Sequence, residues 1–299
     1  MRWSARWALG AVMFALAGCQ PMPGAQAPAA ASAASGESAA LASGAAEGGD
    51  GSTGQASSGT ANKLEPLELS LASLPLEPGI STLKVPVVGG ERELVVSVPE
   101  EAARPLPLVV FLHGADASEH AKGMVRCLAE PGLEQVAPII VAPLSEKGEW
   151  WGDADAGFVL GLVKAAKRDW PVRAERVVVA GYSNGGIGAW AYARLYPEAF
   201  SAAIPMASNE TVMGETTIPV FVIHGTLDEM FPFAPIQARA EQLKQAGQPV
   251  TLAARYRAKH NDACKYKEEL ALAGKWLTDE VWTKPRPAPP SASQTPSVN

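Results

Sequence analysis

The apolar positions of the chain first form two short runs around a turn, and later form a series of unbroken runs. Residues 83–98 read LKVPVVGGERELVVSV, where Gly89 and Gly90 separate two segments rich in β-branched residues. This pattern predicts an antiparallel hairpin. Four later runs are apolar without alternation, at 107–114, 138–144, 176–181 and 219–225. Such strands are typical of a parallel sheet that is covered on both faces.

Segments with helical spacing lie between these strands. In residues 156–170, Phe158, Leu162, Val163 and Ala166 recur at intervals that place them on one face of a helix. Further helices are predicted at 186–195, 234–245 and 265–282, and further strands at 200–208 and 250–258. Because strands and helices alternate, the sequence predicts an α/β fold with a mostly parallel, doubly wound sheet that opens with the hairpin.

The amino-terminal end resembles an export signal. Residues 1–18 combine Arg2 and Arg6 with a short apolar run, and residues 16–19 read LAGC, which resembles a bacterial lipobox. The resemblance implies a lipoprotein signal peptide, lipidation of Cys19, and an exported protein held on a bacterial membrane, facing the periplasm or the cell surface. The alternative is an ordinary signal peptide with a chance cysteine.

Composition then divides the remaining chain. Residues 19–62 are rich in Ala, Gly, Ser and Pro and predict a disordered tether, and residues 285–299 predict a disordered Pro-rich tail. One folded domain is expected at 63–284. The chain has 299 residues, a net charge of −6 and no cluster of Lys and Arg, so no nucleic-acid partner is expected.

The chain has three cysteines. If Cys19 carries lipid, Cys127 and Cys264 remain as a pair in an oxidising compartment. They form either a disulfide or two separate buried thiols.

The stretch 176–191, RVVVAGYSNGGIGAWA, fits two kinds of chemistry. Gly181, Ser183 and Gly185 match the G-x-S-x-G turn that exposes a nucleophilic serine, whereas residues 186–191 match the G-x-G-x-x-A of a dinucleotide site. A dinucleotide site needs its first glycine directly after the strand. The predicted strand ends too early for that, which favours the serine. The glycines at 186 and 188 are then expected to pack the following helix against the sheet.

A nucleophilic serine needs a base and an orienting acid, which follow it in the order acid, then histidine, in the fold that uses this turn. His260 is the histidine that satisfies this order, and Asp228 follows the strand at 219–225, with Glu229 as the neighbouring alternative. His113 and His224 each precede a glycine at a strand end and are expected to shape loops. No metal site is expected, because zinc needs three or four converging ligands.

At this point the chain resembles the α/β-hydrolase superfamily. The segments that carry the resemblance are FLHG at 111–114, GYSNGG at 181–186, LYPEAF at 195–200 and HGTLD at 224–228. Compact secreted esterases of the polyhydroxybutyrate depolymerase and feruloyl esterase type, and the phospholipase/carboxylesterase family, are most similar. The resemblance implies a Ser183, Asp228, His260 triad, backbone oxyanion donors at Ala115 and Asn184, and no cofactor.

The expected activity is hydrolysis of a small or polymeric carboxylic ester. Only a short segment separates Ser208 from Ile218, so no lid or cap domain is expected. Trp150 and Trp151 follow the strand at 138–144 and either line a substrate pocket or pack beneath the next helix. The alternative functions are an amidase or peptidase with the same triad, and a catalytically silent binding lipoprotein.

Overall fold

The strands of the computed structural model form one eight-stranded sheet in the order β1-β2-β4-β3-β5-β6-β7-β8. The structure describes residues 64–100, 104–115, 119–145, 148–211 and 214–284. Its strands are β1 (Gly79–Val87), β2 (Gly90–Val98), β3 (Leu106–Leu112), β4 (Ile139–Pro143), β5 (Val172–Tyr182), β6 (Ala202–Met206), β7 (Val220–Gly225) and β8 (Val250–Arg255). The predicted signal peptide, Cys19, the tether and the tail at 285–299 all lie outside the described residues.

The hairpin and the parallel sheet are both confirmed. β1 and β2 pair antiparallel, and β2 also pairs antiparallel with β4, whereas every neighbouring pair from β4 to β8 is parallel. All residues of β3, β4, β6 and β7 are buried. This explains the unbroken apolar runs, because a strand with helices on both faces has no side that requires polar residues.

The helices are α1 (Glu119–Met124), α2 (Glu130–Gly132), α3 (Asp153–Asp169), α4 (Asn184–Leu195), α5 (Phe233–Gln245) and α6 (Lys267–Trp276). A π-helical turn, Val125–Ala129, joins α1 to α2, and a 3₁₀ turn, Ala263–Tyr266, precedes α6. The region 119–132 consists of short helical turns of changing type. In the described part of the chain no helix is long and apolar enough to span a membrane.

Two apolar layers cover the sheet. Along β5, Val177 and Val179 face one layer, while Val178 and Ala180 face the other, as the two-residue period of a strand requires. The first layer contains buried residues of α3, α4 and α5, and the second contains those of the π-helical turn and α6. The loops that follow the parallel strands therefore leave the sheet at the carboxyl ends of these strands, between two packed layers of helices.

A disulfide joins Cys127 to Cys264 across 137 residues of sequence. Cys127 lies in the π-helical turn after α1, and Cys264 lies in the 3₁₀ turn that follows β8. Of the two states that the sequence left open, the structure therefore has the bonded one. The bond connects the segment after β3 to the segment that carries His260.

We expect the Cys127→Ser, Cys264→Ser double variant to lose up to about 5 kcal/mol of unfolding free energy. The estimate follows from the chain entropy that a cross-link of this length removes from the unfolded state. Urea denaturation of the wild type, with and without reductant, measures the same quantity. Equal midpoints for the oxidised, reduced and substituted proteins would contradict this stabilising role.

Candidate active site

Ser183 lies at the sharp turn between β5, which ends at Tyr182, and α4, which begins at Asn184. Its backbone has φ 55° and ψ −120°, a region that residues with a side chain rarely adopt. Such a conformation costs about 1–3 kcal/mol and persists only where the surrounding structure enforces it. Here the Ser183 N–H donates to the carbonyl of Met206 at 3.0 Å, and its own carbonyl accepts from Ile187 at 3.0 Å.

Two glycines make this turn sterically possible. A Cβ atom on Gly181 would lie 2.1 Å from the carbonyl oxygen of Gly185, and one on Gly185 would lie 1.9 Å from the carbonyl oxygen of Leu112. Neither backbone atom can move aside without disrupting β3 or the start of α4. Both positions therefore exclude every residue with a side chain.

The next two glycines pack α4 against its neighbours. A Cβ on Gly186 would lie 2.4 Å from Ser208 Oγ, and one on Gly188 would lie 2.6 Å from the Cβ of Trp150. These close contacts account for the apparent dinucleotide pattern without any nucleotide. They agree with the packing role expected from the sequence.

Ser183, His260 and Asp228 form a continuous chain of hydrogen bonds. Ser183 Oγ lies 3.0 Å from His260 Nε2, and His260 Nδ1 lies 3.0 Å and 3.2 Å from the two carboxylate oxygens of Asp228. All three residues are buried. With the proton of the imidazole on Nδ1, facing the carboxylate, Nε2 is free to accept the proton of the serine hydroxyl.

The carboxylate of Asp228 is fixed by its own loop. Its Oδ1 accepts the backbone N–H groups of Met230 at 3.0 Å and Phe231 at 2.8 Å. His224 Nε2 lies 3.5 Å from Oδ2 of the same carboxylate and 2.7 Å from the carbonyl oxygen of Phe231. These contacts orient the carboxylate before any substrate binds.

Glu229, the alternative acid, has a different position. Its Oε2 accepts the backbone N–H of His260 at 3.1 Å, and no hydrogen bond joins it to the imidazole ring in the described residues. The structure therefore brings Asp228, rather than Glu229, to the ring nitrogen. Glu229 instead holds the backbone of the histidine loop.

His113 and His224 both hold loops near the site. His113 Nδ1 donates to the carbonyl of Gly114 at 2.7 Å, while its Nε2 accepts the N–H of Ser145 at 3.2 Å. Burial lowers the pKa of His113 and that of His224, so both rings are neutral near pH 7. His113 thus connects the loops that follow β3 and β4.

The two predicted oxyanion donors belong to segments that adjoin Ser183. Asn184 is the first residue of α4, where backbone N–H groups have no partner within the helix. A Cβ on Gly114 would lie 3.5 Å from the Cβ of Ser183, so the loop that carries Ala115 passes directly beside the serine. Ala115 itself is exposed.

Aromatic rings enclose the imidazole. The rings of Tyr182 and Phe231 have centroids 5.7 Å and 5.5 Å from that of His260, and Tyr266 lies 5.9 Å from Tyr182. Burial raises the pKa of the Tyr182 phenol well above its ordinary value. The sequence did not indicate these contacts, which join residues on three separate segments.

Among the described residues, no group of His, Cys, Asp or Glu side chains is arranged to hold a metal ion.

Solved structures share this architecture. The fluorophosphonate-binding serine hydrolase F of Staphylococcus aureus superposes with a TM-score of 0.56 at 14% identity, covering 68% of this chain and 100% of that one. A thermostable esterase gives 0.54 at 22% identity over 67% of this chain and 62% of that one. Thermogutta terrifontis esterase 2, phosphorylated by paraoxon, gives 0.51 at 19% identity over 68% and 95%. The chain therefore has the α/β-hydrolase fold.

Two sequence comparisons also match part of this chain. The sequence model of the dienelactone hydrolase family matches residues 152–283. A bifunctional acetylxylan esterase/xylanase, XynS20E of Neocallimastix patriciarum, is 24% identical over 157 residues. That match covers 50% of this chain but only 23% of the relative. The chain therefore spans about a quarter of the length of the curated relative that it matches.

The sequence left two roles open for Trp150, lining a substrate pocket or packing beneath a helix. The packed arrangement is the one observed, because its side chain is fully buried. Its Nε1 donates to the carbonyl of His113 at 2.8 Å, and its own carbonyl accepts from the Tyr192 hydroxyl at 2.9 Å. It therefore packs between α4 and the end of β3. Trp151 is partly buried against the same apolar layer, and its role in substrate binding stays a prediction.

Proposed function

We propose that this protein is a serine hydrolase that cleaves carboxylic esters through an acyl-enzyme, with Ser183 as nucleophile, His260 as base and Asp228 as the orienting acid. The observation that carries the proposal is the hydrogen-bonded chain from Ser183 Oγ through His260 to Asp228. A serine hydroxyl is a poor nucleophile alone, and this chain supplies the base that it needs.

In the first half-reaction, Ser183 Oγ attacks the ester carbonyl carbon while His260 Nε2 takes the hydroxyl proton. The tetrahedral intermediate collapses as the protonated His260 gives that proton to the leaving alcohol oxygen. Water then attacks the acyl-enzyme with the same proton transfers, and the acid is released. Asp228 stays ionised throughout and stabilises the imidazolium.

The negative charge that develops on the carbonyl oxygen needs donors already in place. We assign the backbone N–H groups of Asn184 and Ala115 to this role. Removing one such donor in other enzymes costs about 2.7–4 kcal/mol of barrier. The start of α4 favours the oxyanion additionally, since the positive end of the helix dipole lies there.

The comparisons support ester hydrolysis. The matched family model describes dienelactone hydrolases, the curated relative is named an acetylxylan esterase, and two of the superposed structures are named esterases. The substrates that these names state differ from one another. The names therefore support the reaction type, ester hydrolysis, rather than a particular acyl group or alcohol.

Labelling with a fluorophosphonate probe tests the assignment of the nucleophile. We expect the wild type to be labelled covalently and the Ser183→Ala variant to remain unlabelled, because only an activated serine attacks phosphorus. A Ser201→Ala variant is the control and should label like the wild type. An unlabelled wild type would contradict the enzyme proposal, and labelling of the Ser183→Ala variant would contradict the choice of serine.

A second assay separates an esterase from an amidase. We expect the wild type to hydrolyse p-nitrophenyl acetate but not the matching anilide.

We also propose that the protein is exported and anchored through lipid on Cys19. The sequence around Cys19 supports this, and the Cys127–Cys264 disulfide fits an oxidising compartment. After growth of the bacterial host with radiolabelled palmitate, we expect label on the wild type and none on a Cys19→Ser variant. Equal labelling of both proteins would contradict anchoring at this residue.

A further inference from the structure

The two loops that carry Asp228 and His260 also expose large apolar side chains. Leu227, Met230 and Tyr256 are 49%, 62% and 78% exposed, although Asp228 and His260 beside them are buried. Single exposed apolar residues are ordinary, but several on neighbouring loops are typical of an interaction surface. We call these three residues the apolar rim. The reaction described above uses none of their side chains.

Hydrogen bonds hold the two loops side by side. Leu227 donates its backbone N–H to the carbonyl of Ala258 at 3.0 Å. In the other direction, the N–H of Arg257 donates to the hydroxyl of Thr226 at 2.8 Å. The loops after β7 and β8 therefore form one surface at the carboxyl end of the sheet, the end at which Ser183 follows β5.

The apolar surface continues into the first turn of α5. Residues 230–235 read MFPFAP and contain no polar side chain. Pro232 and Pro235 are exposed, while Phe231 and Phe233 are half-buried. Runs of apolar residues on an exposed loop are unfavourable in water, so proteins keep them where a partner covers them.

Basic side chains border the apolar rim. Arg257 and Lys259 are both exposed on the loop after β8. The carboxylate of Glu229, on the facing loop, is held by the backbone N–H of His260 at 3.1 Å. Although the whole chain has a net charge of −6, this border has two positive charges against one negative charge. Apolar side chains flanked by basic ones suit a surface of anionic lipids.

The amino-terminal part of the chain enters the fold at the same end of the sheet. Leu67 donates its N–H to the carbonyl of Gly157, near the start of α3, at 2.9 Å, and Leu71 donates its N–H to Asp169, at the end of α3, at 2.7 Å. The segment therefore runs along α3 from its start. Because α3 follows β4, it begins at the carboxyl end of the sheet. The predicted tether thus joins the domain at the end that carries the apolar rim.

The proposed lipid anchor makes a bilayer the partner within reach. From Cys19 to Leu64 is about 45 residues, over which a flexible chain spans about 35–40 Å on average. Tethering at that distance gives the domain a high effective concentration at the membrane, so a weak attraction is enough to orient it. The end of the domain at which the tether joins is the end held closest to the lipid.

We propose that the apolar rim docks on the bilayer that holds the anchor, with its side chains in the headgroup region and with Arg257 and Lys259 on anionic lipid. Tyr256 suits this position, because tyrosine rings are enriched at membrane–water interfaces. The candidate triad then lies on the side of the domain that faces the lipid. The docking goes beyond the proposed function and does not require Ser183 to be the nucleophile.

A fluorophore on one introduced cysteine tests the docking. Cys127 and Cys264 are bonded to each other, and lipid on Cys19 occupies the third cysteine of the chain. Met230→Cys and Tyr256→Cys therefore each supply one free thiol for a nitrobenzoxadiazole label. The lipidated proteins are reconstituted on vesicles of phosphatidylethanolamine and phosphatidylglycerol. We expect nitroxides on the upper acyl chains to quench both labels about twofold or more, because interfacial side chains enter the boundary between headgroups and acyl chains.

Leu272→Cys is the matched control. Leu272 is 57% exposed on α6 and lines the same surface groove as Phe221 and Thr251, near the amino ends of β7 and β8. Its label therefore replaces an equally exposed apolar residue at the opposite end of the sheet, and we expect no quenching there.

Charge reversal tests the basic border. Adding Arg257→Glu and Lys259→Glu to the Met230→Cys protein should reduce the quenching of its label on the vesicles that contain phosphatidylglycerol. On vesicles of phosphatidylcholine alone, which carry no net charge, the same two substitutions should have little effect.

The proposal is overturned if the labels at positions 230 and 256 are quenched no more than the label at 272. Labels that stay unquenched on vesicles, but become protected from iodide as the protein concentration rises, would assign the rim to a second copy of the chain instead. If Cys19 carries no lipid, the same labels on Cys19→Ser proteins mixed with excess vesicles are judged by the same comparison. Fluorophosphonate labelling tests Ser183 separately, so a failure of docking leaves the proposed function standing.

Discussion

His260→Ala is expected to lower kcat for p-nitrophenyl acetate by roughly a million-fold, the scale seen when the histidine of a serine hydrolase triad is removed. The physical reason is that Ser183 Oγ has its 3.0 Å contact with His260 Nε2, and no other base in the described residues is bonded to it. Without the imidazole, the hydroxyl keeps its proton and the leaving alcohol receives none. Steady-state kinetics with high enzyme concentration measures the residual rate.

The matched control is His120→Ala, which removes an exposed imidazole on α1. It should change kcat by less than about twofold, since surface substitutions away from a site have small effects. Thermal unfolding of both variants shows whether the fold is kept. If a folded His260→Ala variant retained a tenth of the wild-type kcat, another group would have to be the base.

The mostly parallel sheet with its opening hairpin, and the three loops that carry the candidate triad, were accessible from sequence because they depend on local patterns. Unbroken apolar runs indicated strands with two covered faces, and the order serine, acid, histidine assigned one residue to each of three loops that follow strands. In the structure these are Ser183 after β5, Asp228 after β7 and His260 after β8. Parallel strands end at the same edge, so the three residues had to meet there.

The direction of individual side chains was not accessible in the same way. Trp150 follows β4, but its ring turns inward against His113, with centroids 4.9 Å apart. Nothing in the order of residues around it distinguishes an inward from an outward ring, because the loop lacks a regular period. Glu229 shows the same limit, since its bond to the backbone of His260 joins residues 31 positions apart.

The histidine loop illustrates how several weak contacts produce one defined geometry. Glu229 accepts its backbone N–H, the Cys264 disulfide anchors the following turn, and the rings of Tyr182 and Phe231 pack against the imidazole. The contacts come from three other segments of the chain, namely the loop after β7, the turn that carries Cys127, and the end of β5. A site held in this way is already ordered before substrate binds, which lowers the cost of reaching the reactive geometry.

Asp228→Asn is expected to lower kcat by roughly ten-thousand-fold while leaving the fold intact, as the equivalent change does in other serine hydrolases. An amide that receives the N–H groups of Met230 and Phe231 through its oxygen turns its own NH₂ group toward His260 Nδ1. His260 Nδ1 must then accept a hydrogen bond from this NH₂ group. The imidazole therefore carries its proton on Nε2, and Nε2 cannot take the proton of the Ser183 hydroxyl. Kinetics with p-nitrophenyl acetate measures the loss.

Glu229→Gln provides the comparison that separates the two neighbouring acids. Its amide oxygen can still accept the N–H of His260, so we expect kcat to fall by less than about tenfold, consistent with the modest net contribution of one hydrogen bond. A large loss in Glu229→Gln together with a small loss in Asp228→Asn would assign the orienting role to Glu229. The expected order of effects follows from the 3.0 Å contact of Asp228, not Glu229, with His260 Nδ1.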